Sequence, residues 1–248
     1  MRGLVSKRRV ASMVILGALA GAPALGGGCS GTGGTSSPLN GGGGNGTDAA
    51  VQPTSGDYEP LAVGVSWTYH VNDNGVTYDK TTTVIDTEDA GGPAAGVTVF
   101  HLVDTFPANK QDTWYQVDGQ LVKRLHDDAL DSAGNVKTDD WYSPYRLRVD
   151  ETAEHTTAGT TWSLTLTDTH TSMGKAPTMT MKTDNWRVDG VDEPVTVPYG
   201  TFQALHVSRT DPSDGSVKSF WFVRGIGKVK ETNNSGHLEE LATRSPAP

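Results

Sequence analysis

Val65-Ser66-Trp67-Thr68-Tyr69-His70-Val71 sets apolar and polar residues in alternation. A strand turns successive side chains to opposite faces, so this pattern buries one face and wets the other. The same rhythm returns at Trp162-Ser163-Leu164-Thr165-Leu166-Thr167 and at Thr178-Met179-Thr180-Met181-Lys182. Thr, Val, Trp and Tyr dominate these runs, and such residues favour a pleated, half-buried surface. Turn pairs separate them: Asn74-Gly75, Asp118-Gly119, Ala133-Gly134-Asn135, Asp189-Gly190 and Asp214-Gly215. Only Leu125–Ser132 tolerates a helix, and it is short. The expectation is an all-β domain over residues 57–244, of about eleven antiparallel strands, with 245–248 as a disordered tail.

Three blocks recur in the same order. Gly64-Val-Ser-Trp67-Thr-Tyr69 matches Gly159-Thr-Thr-Trp162-Ser-Leu164, and Phe100-His101-Leu-Val-Asp-Thr105 matches Leu205-His206-Val-Ser-Arg-Thr210. Trp114-Tyr-Gln-Val-Asp-Gly-Gln-Leu-Val-Lys123 matches Trp221-Phe-Val-Arg-Gly-Ile-Gly-Lys-Val-Lys230. Two similar meanders follow, forming a strongly curved sheet, a half-barrel or a sandwich. Trp67, Trp114, Trp162 and Trp221 are expected to fill the core.

Three further stretches carry a resemblance: Pro60-Leu-Ala-Val-Gly-Val-Ser-Trp67-Thr-Tyr69, Val195-Thr-Val-Pro-Tyr-Gly-Thr-Phe-Gln-Ala-Leu-His-Val207, and Phe220-Trp-Phe-Val-Arg-Gly-Ile-Gly-Lys-Val-Lys230. They resemble the motifs of a family of uncharacterised bacterial envelope lipoproteins. The resemblance implies a sheet like the open half-barrel of periplasmic lipoprotein carriers, and it brings no catalytic residues with it.

The N-terminus reads independently of the fold. Residues 1–28 hold Arg2, Lys7, Arg8 and Arg9 and no acid, and an apolar run extends from Val10 to about Leu25. This is the pattern of a secretory signal peptide. Cys29, the only cysteine, follows directly behind Gly26-Gly27-Gly28. That placement resembles a lipobox, with Cys29 acylated, although Leu25 stands one place further from the cysteine than usual. Residues 29–56 are then a lipidated cysteine and a disordered linker; from Ser30 on, nine of 27 residues are glycine. As a flexible coil this linker reaches roughly 30 Å.

Charge excludes one class of function. The chain carries 20 Lys+Arg against 29 Asp+Glu, net −9, and loss of residues 1–28 takes it to −13. Nucleic-acid partners need a cationic surface to displace counterions from phosphates. Attachment to a membrane must come from the N-terminal lipid, because anionic headgroups repel this surface.

Candidate chemistry is sparse. There is no Gly-x-Ser-x-Gly and no His-Glu-x-x-His, so the esterase elbow and the common zinc spacing are absent. His101 and His206 occupy matching repeat positions and could approach each other as metal ligands if the two halves packed with pseudo-symmetry, although a strand histidine at such a place is more often structural. Asp127 to Asp140 gathers five aspartates with Asn135 in a presumed loop, a set of oxygen ligands suited to calcium. Trp141, Tyr142 and Tyr145, beside Pro144, are the candidate ligand-binding aromatics. No catalytic residue, metal or cofactor is assigned. The expected function is a membrane-anchored, non-catalytic envelope binding or structural protein, exported to the outer membrane or cell surface. Two alternatives stand beside it: a carrier for acyl chains or lipoproteins, and an envelope glycan hydrolase acting through two carboxylates.

Overall fold

A computed structural model describes residues 56–247. The segment expected to be a signal peptide, Cys29 and nearly all of the expected linker lie outside the described residues. Twelve strands run in sequence order. They are β1 (Ser66–Asp73), β2 (Val76–Asp89), β3 (Thr98–Thr105), β4 (Lys110–Asp118), β5 (Leu121–Leu130) and β6 (Val136–Asp150), then β7 (Thr161–Ser172), β8 (Thr178–Val197), β9 (Gly200–Asp211), β10 (Ser216–Val223), β11 (Gly227–Asn233) and β12 (His237–Ser245). Every strand pairs antiparallel with its neighbours in the chain, and β1 also pairs with β12. The register from Ser66↔Ser245 to Asp73↔His237 closes the sheet into a barrel. The all-β expectation holds, with one strand more than the alternating runs indicated and with closure in place of an open half-barrel. Closure removes the unpaired edges that an open sheet exposes.

The alternation sets which residues face the lumen. Trp67, Tyr69 and Val71 point inward from β1, and Ser66, Thr68 and His70 point out. Outward pairs are polar, such as Thr68–Thr81, Ser163–Asn185, Thr165–Thr183 and Thr196–Thr201. A lipid-spanning barrel has the reverse pattern, with an apolar band outside. One run is inverted relative to the reading of the sequence. In β8, Lys182 pairs with the inward Leu166, while Met179 and Met181 are 76% and 77% exposed. Asp189-Gly190 is a bulge inside β8 and not a turn. Leu125–Leu130 is strand and not helix.

The matched blocks lie six strands apart: Trp67 on β1 and Trp162 on β7, His101 on β3 and His206 on β9, Trp114 on β4 and Trp221 on β10. The repeat is therefore two six-strand meanders making one ring. His101 and His206 stand on opposite walls and face outward, so they do not meet.

The two ends of the barrel differ. At one end Tyr58, Val65, Val84, Val122, Val149, Val188, Val197, Phe202, Leu205, Phe222, Ile226 and Leu241 pack as a filled apolar core. Residues 57–65 cross this end. Asp57 O accepts from Gly225 N at 2.8 Å, Tyr58 N donates to Glu151 at 2.8 Å, and Gly64 N donates to Val84 O at 2.8 Å. Trp67 is buried here and donates its indole N–H to Ile226 O at 2.6 Å. At the other end, bounded by the turns at 74–75, 106–109, 131–135, 173–177, 212–215 and 234–236, the lumen is lined by charge.

Candidate functional site

Inward positions near that end carry Lys80, Arg124, Arg148, Lys218, Lys228, Glu231 and Glu239 around a cavity of about 340 Å³. Glu59, Asp104 and His237 add to the charged and titratable lining, and Trp67, Tyr69, Tyr78, Thr82, Leu102, Phe106, Gln111, Thr113 and Tyr115 complete it. An ion-pair chain runs along one wall. Lys80 Nζ donates to both Glu239 oxygens at 2.6 and 2.7 Å, and Lys228 Nζ donates to Glu239 at 2.7 Å and to Glu231 at 2.5 Å. Lys218 completes it on Glu231 at 3.1 Å. The Tyr69 ring lies under this chain, 5.1 Å from Lys80 Nζ and 5.0 Å from Lys228 Nζ.

The glutamates face each other directly, Glu231↔Glu239, an arrangement that is unfavourable unless cations lie between them. Burial favours their neutral forms, but Lys228 outweighs it and holds both carboxyls well below the usual range. Burial likewise works against the Lys228 ammonium, yet Glu231 and Glu239 hold its pKa above the ordinary lysine value. All of these groups stay charged near neutral pH. A glycosidase needs one carboxyl held protonated as its acid, and this pair does not provide one.

The opposite wall is built on guanidinium groups. Arg124 donates to Asp127 at 2.7 Å and to Tyr115 Oη at 2.9 Å. Arg148 reaches Glu59 at 3.1 Å. Arg146 Nε lies 3.3 Å and Arg209 Nε 3.7 Å from the one carboxylate of Asp184, which is fully buried.

The aromatics chosen from the sequence are divided among different places. Pro144 sits where the β5–β6 and β6–β7 ladders both lapse, so the stretch is irregular as expected. Tyr142, however, is a buried lumen residue whose hydroxyl donates to Asp127 at 3.2 Å. Tyr145 is partly buried and lies 4.7 Å under Lys123. Trp141 is on the outer wall, the last ring of a ladder with His101, Trp114 and His126 at spacings of 4.5, 4.2 and 4.1 Å. The loop after β2 packs on it, since a β-carbon at Gly92 would come within 2.8 Å of the indole. These three residues therefore do not form one surface.

Trp114 and Trp221 are also outside, which corrects their placement in the core. Each repeats one unit: His101 stacks on Trp114 and His206 on Trp221, at 4.5 and 4.0 Å. Glu88 and Glu193 accept the indole N–H at 2.6 and 3.1 Å. Trp162 is partly buried at the apolar end, stacked between His155 and Trp186.

The acidic run does not form a calcium loop. Strand alternation sends Asp127 and Asp140 inward and Asp128 and Asp139 outward, and Asp131 caps its own turn through Ala133 N and Asn135 N. On the outer wall His126 Nε2 lies 3.0 Å from both Asp128 and Asp139, and these three ligand-type atoms fall within 4.8 Å of one another.

No family model, no curated protein and no solved structure matches this chain.

Proposed function

We propose that this chain is an exported binding protein, held on the cell envelope by lipid at Cys29, whose barrel takes a small polar solute into the charged end of its lumen. The single observation that carries this reading is the 340 Å³ ionic cavity at the charged end of the barrel. Protein interiors pack with few voids larger than a water molecule, and ligand sites are concave with a few convergent polar groups. Lys218, 41% exposed, connects the lining to solvent. The chain enters the domain at Gly56 on the apolar end, so a tether there leaves the charged end free. An acyl carrier would need a dry apolar cavity, and the apolar half of this lumen is occupied by its own side chains.

A thermal-shift screen against a panel of polar solutes, run on the protein and on Gln111→Trp, tests the lumen. A solute that stabilises the protein should lose its effect in the filled variant, and unchanged stabilisation would place the site elsewhere. Cys29→Ser tests the anchor: the protein should leave the detergent phase or accumulate unprocessed.

A further inference from the structure

Between β5–β6 on one side and β8–β11 on the other a second cavity of about 110 Å³ adjoins the first, with Arg124, Arg148, Lys218 and Glu231 common to both. Its charged lining is Arg124, Arg146, Arg148, Arg209, Lys218 and the single acid Glu231. Five cations thus face one carboxylate. Further acids stand behind them, Asp127 on Arg124, Glu59 on Arg148 and Asp184 shared by Arg146 and Arg209, but Glu231 holds Lys228 as well as Lys218, so the cations of this cluster still outnumber its carboxylates.

Unused donors point the same way. A guanidinium carries five N–H groups, and Arg148 Nε is buried with no hydrogen-bond partner. Arg209 is crowded as well, since burial and the neighbouring Arg146 hold its guanidinium pKa down to about 10. The floor is apolar, with Trp186 and Phe220 at 5.9 and 6.0 Å from the Arg209 guanidinium. At about 30 Å³ per water molecule, the space suits a group of roughly four heavy atoms. Planar, forked donors match the oxygens of phosphate and carboxylate.

We propose that this cavity seats an oxyanion, the phosphate, sulfate or carboxylate group of the solute that the lumen binds; the proposal rests on the reading of the lumen as the binding site. An anion there would relieve the repulsion among the guanidinium groups and accept their idle N–H groups, while the rest of the solute would occupy the 340 Å³ cavity.

Calorimetric titration of the detergent-extracted full-length protein tests it. The probes are inorganic phosphate, sulfate, glucose 6-phosphate and glucose. Binding of the phosphate-bearing probes at least about tenfold tighter than glucose supports the proposal, because charge-assisted hydrogen bonds are the stronger class. Phosphate alone binding as well as glucose 6-phosphate identifies a free ion as the ligand; a large advantage for the ester identifies an anionic solute. Lys218→Met and Arg209→Lys should each weaken the phosphate probes about tenfold, and the outer Lys230→Met should not. Lys218→Met keeps Lys228 on Glu231, so its fold, checked by urea midpoint, is expected to persist even if Arg209→Lys is unstable. Phosphate affinity unchanged in Lys218→Met, or no heat with any anion, overturns the proposal. Equal binding of glucose and glucose 6-phosphate, both blocked by Gln111→Trp, overturns the oxyanion and leaves the lumen site standing. Glucose 6-phosphate binding that Gln111→Trp does not affect removes the lumen site itself.

Discussion

The two halves of this barrel share one backbone plan and differ in what they enclose. The apolar half is sealed by residues 57–65 and packed with Phe222, Leu205, Ile226, Leu241, Val84 and Val188, each at most 1% exposed. The charged half encloses Lys80, Lys228, Glu231 and Glu239, each at most 7% exposed, beside open cavity. Burial of apolar area stabilises without directional demands. Burial of charge is costly unless every ion finds its partners. The difference teaches where stability and binding reside: one end holds the ring together, and the other keeps space and charge that a filled core would have excluded.

The largest effect is expected at the sealed end. Trp67→Ala removes a buried indole and its bond to Ile226 O, and should cost about 3–5 kcal/mol in urea unfolding. That is a large part of a typical stability of about 5–15 kcal/mol. The outward Trp114→Ala should cost clearly less. Equal losses would erase the distinction between inward and outward positions.

The charged end should break in a different way. Lys228→Met leaves Glu231 and Glu239 buried and opposed, and should destabilise by about 3–5 kcal/mol, the range for removing one partner of a buried ion pair. Adding Glu239→Gln should recover part of that loss. If the double variant is no better than the single one, the lysine acts through packing and not through charge.

The pH dependence should be smaller for each proton but specific to this end. Glu231 and Glu239 have folded pKa values below the ordinary 4.5, so their contribution is full above pH 4.5 and falls as the pH drops through their depressed values. Lys80 and Lys228 have raised values, so their contribution is full below the ordinary 10.5 and falls as the pH rises through the folded values. The urea midpoint should hold a plateau between these limits and decline on both sides. An acid decline undiminished in a Glu231→Gln/Glu239→Gln variant would assign the effect to other carboxylates.

The smallest effect is expected on the outer wall. Trp221→Leu removes the stack with His206 and the indole bond to Glu193, and should cost about 0.5–1.5 kcal/mol. Urea unfolding of this variant and of Trp114→Leu should give similar values, since the two units repeat; a large disparity would break the equivalence of the two meanders.

Part of the candidate site follows parity, but Lys228 does not, because it is buried beside the equally buried Val229 at an irregularity of the β10–β11 ladder. Glu239 stands two residues before Leu241, Lys218 two before Phe220 and Lys80 four before Val84, so each belongs to the buried face of its strand. The acidic pair Glu239-Glu240 is one inward and one outward residue, Glu240 meeting Lys230 at 3.1 Å outside. What parity could not supply was the partner. Lys80 and Glu239 are 159 positions apart and meet only across β1. Trp114 and Trp221 were misplaced for a related reason: a large aromatic at a strand position reads as core, but here a histidine and a glutamate on neighbouring strands cover it from outside. Met179 and Met181 failed the same rule, because β8 overhangs β9 at that end and only Thr169 and Thr167 of β7 stand opposite them.

Local chemistry in the sequence determined the strands, four of the turns and the six-strand repeat, because period-two alternation and glycine-containing turn pairs act within a few residues. It also set which side chains share a face. Closure was decided only in three dimensions. It depends on Ser66 finding Ser245 and Asp73 finding His237 across the whole length of the domain, and no local pattern encodes that register. The cavity exists for the same reason: a ring of twelve strands encloses more volume than its inward side chains fill at the charged end, and the guanidinium groups are held at the wall by Asp127, Glu59 and Asp184.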